Sequence, residues 1–347
     1  MPRPKHLFRH FVLSTALLAV VPLALMAVWY VCADPMHVLR TELRSVSDFY
    51  LPNKGQLTVN NFESQQPERH YNSFIIGSSL SIAYRLDDWK RHLADSSAVP
   101  YHFDLSGMRV RQMRLATEYL ARRADMRHVL FVIEPVSLMW EGEDQLPNLT
   151  PPAVDPSLWS RIVTHYTYFS HCFSRANING FVAEKLGVQS FGDNRYPADH
   201  TIATYDPVKN EERDGSTDAE IIEATAHFFA DNPDWRESMP EWWERDSVFP
   251  PRMERHRADF QRIADIMNEF GVDYRVIVGP NRSAIRMAPA DKAELSAIFG
   301  DNLIDLTETH SWVTKVTPYY LDGFHYYPLV ADTLMSAAYN HRFPAGN

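Results

Sequence analysis

The sequence predicts a doubly wound α/β domain with a mostly parallel sheet, carried on one amino-terminal transmembrane helix. Three observations predict it. Short apolar runs at 74–76, 129–133 and 273–278 have the length and character of strands buried on both faces of a sheet. Longer segments with helical spacing alternate with them, 109–125 and 253–270 above all. Finally, no charged residue occurs from Phe11 to Ala33.

Residues 1–10 are basic and read as a cytoplasmic tail. The 23 residues of 11–33 suffice to cross about 30 Å of hydrocarbon as a helix. Trp29 and Tyr30 suit an interfacial aromatic belt at its far end, and Arg3, Lys5 and Arg9 keep its near end in the cytoplasm. A single-pass protein of a bacterial inner membrane is expected, with its carboxyl-terminal domain in the periplasm or cell exterior. A cleaved signal peptide is the competing reading. The apolar run is longer than a signal core, and Trp29-Tyr-Val-Cys-Ala-Asp34 lacks a small-x-small cleavage site. Residues 34–70, broken at Asp34-Pro35, Pro52-Asn53 and Gln65-Gln-Pro67, read as a tether leading into the domain.

The domain is expected over 71–347. Phe74-Ile-Ile76 is its first strand and runs into Gly77-Ser78-Ser79. A short helix follows at Leu86–Leu93, then a strand over Val99–Leu105 that ends at Ser106-Gly107. Arg109–Asp125 reads as a helix with Met113, Ala116, Tyr119 and Leu120 on one face, and His128–Ile133 as the next strand. The alternation then fails over about 135–251. That stretch holds a proline cluster, an apolar helical patch from Ser157 to Leu186, a polar loop at 193–214 and a helix near 217–230. It reads as an insertion at the carboxyl edge of the sheet, over the active site, with a separate domain as the alternative. The pattern resumes with a helix at Met253–Phe270, stopped by Gly271, and a strand at Asp273–Val278. A helix at Pro289–Phe299, a short strand at Leu303–Leu306 and a helix at Leu329–His341 close the domain.

With 347 residues, 45% apolar and 22% charged, the chain is globular and long enough for an ordinary core. Its net charge of −10 comes without a basic block, which sets aside nucleic-acid partners. Two cysteines, Cys32 and Cys172, make neither a disulfide framework nor a zinc spacing. His200 beside Asp199, and His102 near Asp104, lack a third ligand at diagnostic spacing, so no metal or other cofactor is expected.

Two short stretches carry the chemistry. Gly77-Ser78-Ser79-Leu80 puts two hydroxyls beyond the carboxyl end of a buried strand, where open α/β sheets bind ligands. Asp322-Gly-Phe-His325 puts a carboxylate three residues ahead of an imidazole, so that Asp322 can fix the ring tautomer and leave one nitrogen as a base. The plain structural alternatives are helix-capping serines and a packed histidine.

In these two stretches the chain resembles the SGNH (GDSL-like) hydrolase superfamily, in its divergent, membrane-anchored bacterial branch of DltD-like and polysaccharide O-acyltransferase proteins. Gly77-Ser78-Ser79-Leu80 is similar to the first block, with Ser78 where aspartate is usual. Phe103-Asp-Leu-Ser-Gly107 resembles the second, and Asp322-x-x-His325 the last. The third block, a strand followed by Gly-x-Asn-Asp, meets Glu134-Pro-Val here, without its asparagine.

The resemblance implies a three-layer α/β/α sandwich and a Ser79–His325–Asp322 triad. It also implies an oxyanion hole from the backbone N–H groups of Ser79 and Gly107; Asn281, beyond the end of a strand on the same edge, is a candidate for the missing donor, with a plain turn asparagine as the alternative. The implied reaction is acyl-ester hydrolysis or O-acyl transfer through an acyl-serine. The implied substrate is an acylated, chiefly acetylated, envelope or exported polysaccharide, and a membrane-bound acyl donor protein is the implied partner. Trp242 and Trp243 offer stacking faces for sugar rings. A catalytically silent domain that binds polysaccharide or scaffolds an envelope assembly is the alternative from another class.

Overall fold

A computed structural model describes residues 4–43, 53–139, 149–186, 204–213, 248–280, 285–307 and 325–340. Helix α1 runs Pro4–Ala33, and its apolar stretch Leu7–Ala33 is long enough to cross a membrane. Asp34 then turns the chain out of it. With φ at +43°, its carboxylate accepts from the backbone N–H groups of Val38, Leu39 and Arg40.

The expected tether contains a packed helix. Helix α2, Lys54–Arg69, starts at an Asn53 cap whose side chain accepts from Gln56 N at 2.9 Å. It buries Val59 and Phe62 against the sheet. Pro67 lies in its last turn, and the helix ends at His70 with φ +54°. The breakers at 52–53 and 65–67 mark the two ends of this helix, and its few apolar residues all fall on the buried side.

The main sheet has five strands, all parallel: β1 Ser73–Gly77, β2 Pro100–Asp104, β3 His128–Ile133, β6 Asp273–Val278 and β7 Leu303–Asp305. Their order is β2-β1-β3-β6-β7. Residues alternate across it with period two. Phe74, Ile76, Val129, Phe131, Val276 and Val278 enter one apolar cluster, while Ile75, Leu130, Val132 and Ile277 enter another. On the first face lie α2, α4 (Val110–Ala121), α7 (Met253–Glu269) and α8 (Pro289–Phe299). On the second lie α3 (Leu86–His92) and α9 (Pro328–Asn340). Both faces being covered by helices explains why the strands read as continuous apolar runs.

The apolar patch at 157–186 is two helices, α5 (Leu158–Cys172) and α6 (Arg175–Leu186). Ser157 caps the first. Within the expected polar loop, residues 204–213 form a hairpin, β4 (Thr204–Asp206) and β5 (Glu211–Arg213). The hairpin seals the outer edge of β2, where His102 N donates to Lys209 O at 3.1 Å and the Tyr71 hydroxyl donates to Val208 O. The helix expected near 217–230 lies outside the described residues.

Candidate active site

Strand order reverses at β1, between β2 on one side and β3 on the other, and such switch points open the ligand crevice of parallel sheets. Gly77 ends β1 there because nothing larger fits. A Cβ on it would stand 2.6 Å from Ser81 Cβ and 3.1 Å from Val132 O. The chain turns at Ser78 into a short 3-10 helix, Ser79–Ala83, whose first turn is tied by Ser81 N donating to Ser78 O at 2.9 Å. Ser79 is thereby left half-buried just beyond the carboxyl end of β1.

From the other end of the chain, His325 meets it. Its Nε2 lies 2.9 Å from Ser79 Oγ across 246 residues of sequence. For the serine to donate, Nε2 must be bare and Nδ1 must carry the proton. His325 is held by its neighbour. Tyr326 is buried, its hydroxyl is 2.7 Å from that of Tyr84, and Gly279 leaves the room it occupies, since a Cβ there would be 2.8 Å from the Tyr326 oxygen. Tyr84 directly follows the turn that carries Ser79. The tyrosine pair therefore fastens the serine segment to the histidine segment one residue from the chemistry. Burial raises the Tyr84 phenol well above its ordinary value, and the nearby Glu134 carboxylate adds to the rise, so Tyr84 stays neutral.

Two departures from the expected blocks meet in space. The resemblance set an aspartate at position 78 and a Gly-x-Asn-Asp block from position 134; the chain has Ser78 and Glu134-Pro-Val-Ser137 there. The Ser78 hydroxyl donates to Glu134 Oε1 at 2.9 Å, and both residues are buried. A carboxylate therefore sits at the base of the serine turn, supplied by the residue that follows β3. Leu80 N also donates to Ser78 Oγ at 3.3 Å. The sequence signal was the Glu-Pro pair closing β3, legible only with the knowledge that β3 lies beside β1.

Gly107 sits in the turn beyond β2 with φ +58°, and Leu105 N donates to Gly77 O at 3.2 Å, lacing that turn to the end of β1. Asp322, Asn281, Trp242 and Trp243 lie outside the described residues, as do Asp199 and His200. His102 and Asp104 are parts of a buried polar network. His102 Nε2 is 2.8 Å from Ser81 Oγ, and Asp104 Oδ1 accepts from Asn210 Nδ2 at 2.7 Å. Among the described residues no group of three or more His, Cys, Asp or Glu side chains is placed to hold a metal ion.

The arrangement can remove a proton from one half-buried hydroxyl and leave it able to attack an electrophile. No protein-family model matches the chain, and no curated protein matches it.

Proposed function

We propose that the protein is a membrane-anchored serine acyl-ester hydrolase or O-acyltransferase of SGNH type, acting on an acylated envelope or exported polysaccharide. The observation that carries this reading is the 2.9 Å approach of His325 Nε2 to Ser79 Oγ at the switch point of the sheet. His325 takes the serine proton as Oγ attacks the acyl carbonyl. The oxyanion is received by the backbone N–H groups of Ser79 and Gly107, and the sugar alcohol leaves with the proton from His325. Water or a second sugar hydroxyl, activated by the same imidazole, then releases the acyl group from Ser79. Asp322 holds Nδ1–H in this scheme, Asn281 is the third oxyanion donor, and Trp242 and Trp243 stack on the glycan. The helices on both sheet faces and the apolar α1 support an anchored, layered α/β domain; in this reading it stands in the periplasm or cell exterior, next to an acyl donor in the membrane.

A silent, polysaccharide-binding relative is the second reading. Ser78 in place of the first block's aspartate and the absence of the third block's asparagine favour it. The test is intact-mass spectrometry of the full chain in detergent after exposure to a fluorophosphonate, with Ser79→Ala and His325→Ala alongside. One adduct on the wild type that maps to Ser79 and disappears in both variants is the expected result. A folded wild-type chain that takes no adduct favours the binding reading.

A further inference from the structure

Helix α5 carries a stripe, Leu158, Ile162, Tyr166, Phe169 and Phe173, at the four-, four-, three- and four-residue steps that keep one face of an α-helix. Only its last part is covered. Trp29 packs on Phe173 at 5.1 Å between ring centroids, and Tyr30 on Phe169 at 5.6 Å, both from the final turns of α1. The Tyr30 hydroxyl lies 3.3 Å from His165 Nδ1. Among the described residues the first part is left open: Leu158 is 74% exposed, Ile162 52% and Tyr166 71%, with Trp159 beside them at 74%. Helix α6 repeats the pattern. Phe181 meets Trp29 edge-on at 5.4 Å, while Ile178, Val182 and Leu186 around it are exposed.

These contacts decide which way the exposed part points. The covered and uncovered residues share one helix face, and what covers that face is the end of the segment that crosses hydrocarbon. Its uncovered half therefore looks toward the plane from which α1 emerges. The charge pattern fits that plane. In a chain of net charge −10, no acidic residue occurs between Asp155 and Glu184, whereas Arg161 and Arg175 do, and Lys185 follows directly. Apolar side chains with tryptophan and tyrosine, flanked by cations, are what an anionic headgroup layer accepts from an interfacial helix.

We propose that α5 and α6 lie in the outer interface of the bilayer beside α1 and form a second, lateral membrane contact that sets the orientation of the domain above the surface. This rests on α1 being retained as a membrane helix. A lone spanning helix is a swivel, whereas a helix and a lateral face fix the tilt of what they carry. The occupant is lipid, by continuity with α1 and by charge.

The test uses the full chain in vesicles of phosphatidylethanolamine and phosphatidylglycerol. Spin labels are placed at Leu158→Cys, Ile162→Cys and Tyr166→Cys in a Cys32→Ser background. Cys172 is fully buried and its thiol is pushed up to about 11 by burial, so it takes little label. Leu18→Cys on α1 and Glu269→Cys on α7 are controls, since both positions are exposed. Collision with oxygen, which concentrates in lipid, is compared with collision with a water-soluble nickel chelate. Labels at 158, 162 and 166 are expected to resemble the one at 18, with nickel access several-fold below that at 269. Nickel access equal to that at 269 overturns the proposal, and so does shielding from both reagents, which would mean that protein covers the face. A nickel-accessible label at 18 overturns the anchor itself. Should the cysteine variants fail to fold, quenching of tryptophan emission by brominated lipid is expected to fall in Trp159→Phe, and an unchanged value overturns the lipid contact.

Discussion

Single atoms at the serine turn leave little room for change. Gly77 has no φ requirement of its own; its constraint is the 2.6 Å approach to Ser81 Cβ and the 3.1 Å approach to Val132 O. Gly77→Ala should cost about 1–3 kcal/mol in urea unfolding, because the neighbour is partly backbone and cannot yield. Tyr84→Phe removes the hydroxyl that joins the two halves of the site, and should cost on the order of 1 kcal/mol of stability. On the proposed function it should also slow fluorophosphonate labelling of Ser79, as a purely structural bond would not. A third residue-level test concerns acid. Asp95 is lowered from 3.8 to about 2, first by the Ser97 hydroxyl, then by the Ser97 N–H, with His128 also lowering it. A depressed folded-state value contributes stability above the unfolded value near 3.8, and that contribution is lost as pH falls through about 2. Ser97→Ala should therefore melt below wild type at neutral pH, and the difference should close between about pH 4 and pH 2.

At the scale of elements, the hairpin β4–β5 is held by its turn residue more than by its two short strands. Asn210, at φ +54°, shares its Nδ2 among Thr58 Oγ1 at 2.9 Å, His102 O at 2.7 Å and Asp104 Oδ1 at 2.7 Å. Its Oδ1 accepts from the Tyr205 hydroxyl. Next to it, Glu211 Oε1 accepts from Leu86 N at 2.9 Å and is fully buried. Asn210→Ala should cost about 2–3 kcal/mol, read by urea unfolding, because three buried polar groups lose a partner and the new residue keeps an unfavourable φ. Hydrogen exchange at the His102 amide should rise in parallel, since its acceptor is in this hairpin. An asparagine in a polar loop gave no hint of this, for a plug residue is defined by the distant strand it plugs. The helices α4, α7 and α8, in contrast, were legible to within a few residues, because each buries one stripe against one sheet face.

For the whole molecule, α1 is more than a tether. Its last two turns supply Trp29 and Tyr30 to a small core with Tyr168 and Cys172, and the following residues add Met36 and Val38. Asn60 Nδ2 donates to His37 O at 2.9 Å, tying the exit of the helix to α2. A fragment beginning after residue 33 should therefore expose Phe169 and Phe173 and self-associate, whereas one that keeps residues from 28 onward should be more nearly monomeric in light scattering.

The sequence by itself determined the parallel α/β class, the uncharged 23-residue run and the two stretches that hold Ser79 and His325, because strand burial, helical spacing and span length are local periodicities. Tertiary structure alone decided that those two stretches meet at 2.9 Å, that the Glu134 carboxylate receives the Ser78 hydroxyl, and that residues 204–213 close the β2 edge. Each of these depends on strand order, and strand order is set by which nonlocal surfaces bury each other, which no local pattern encodes.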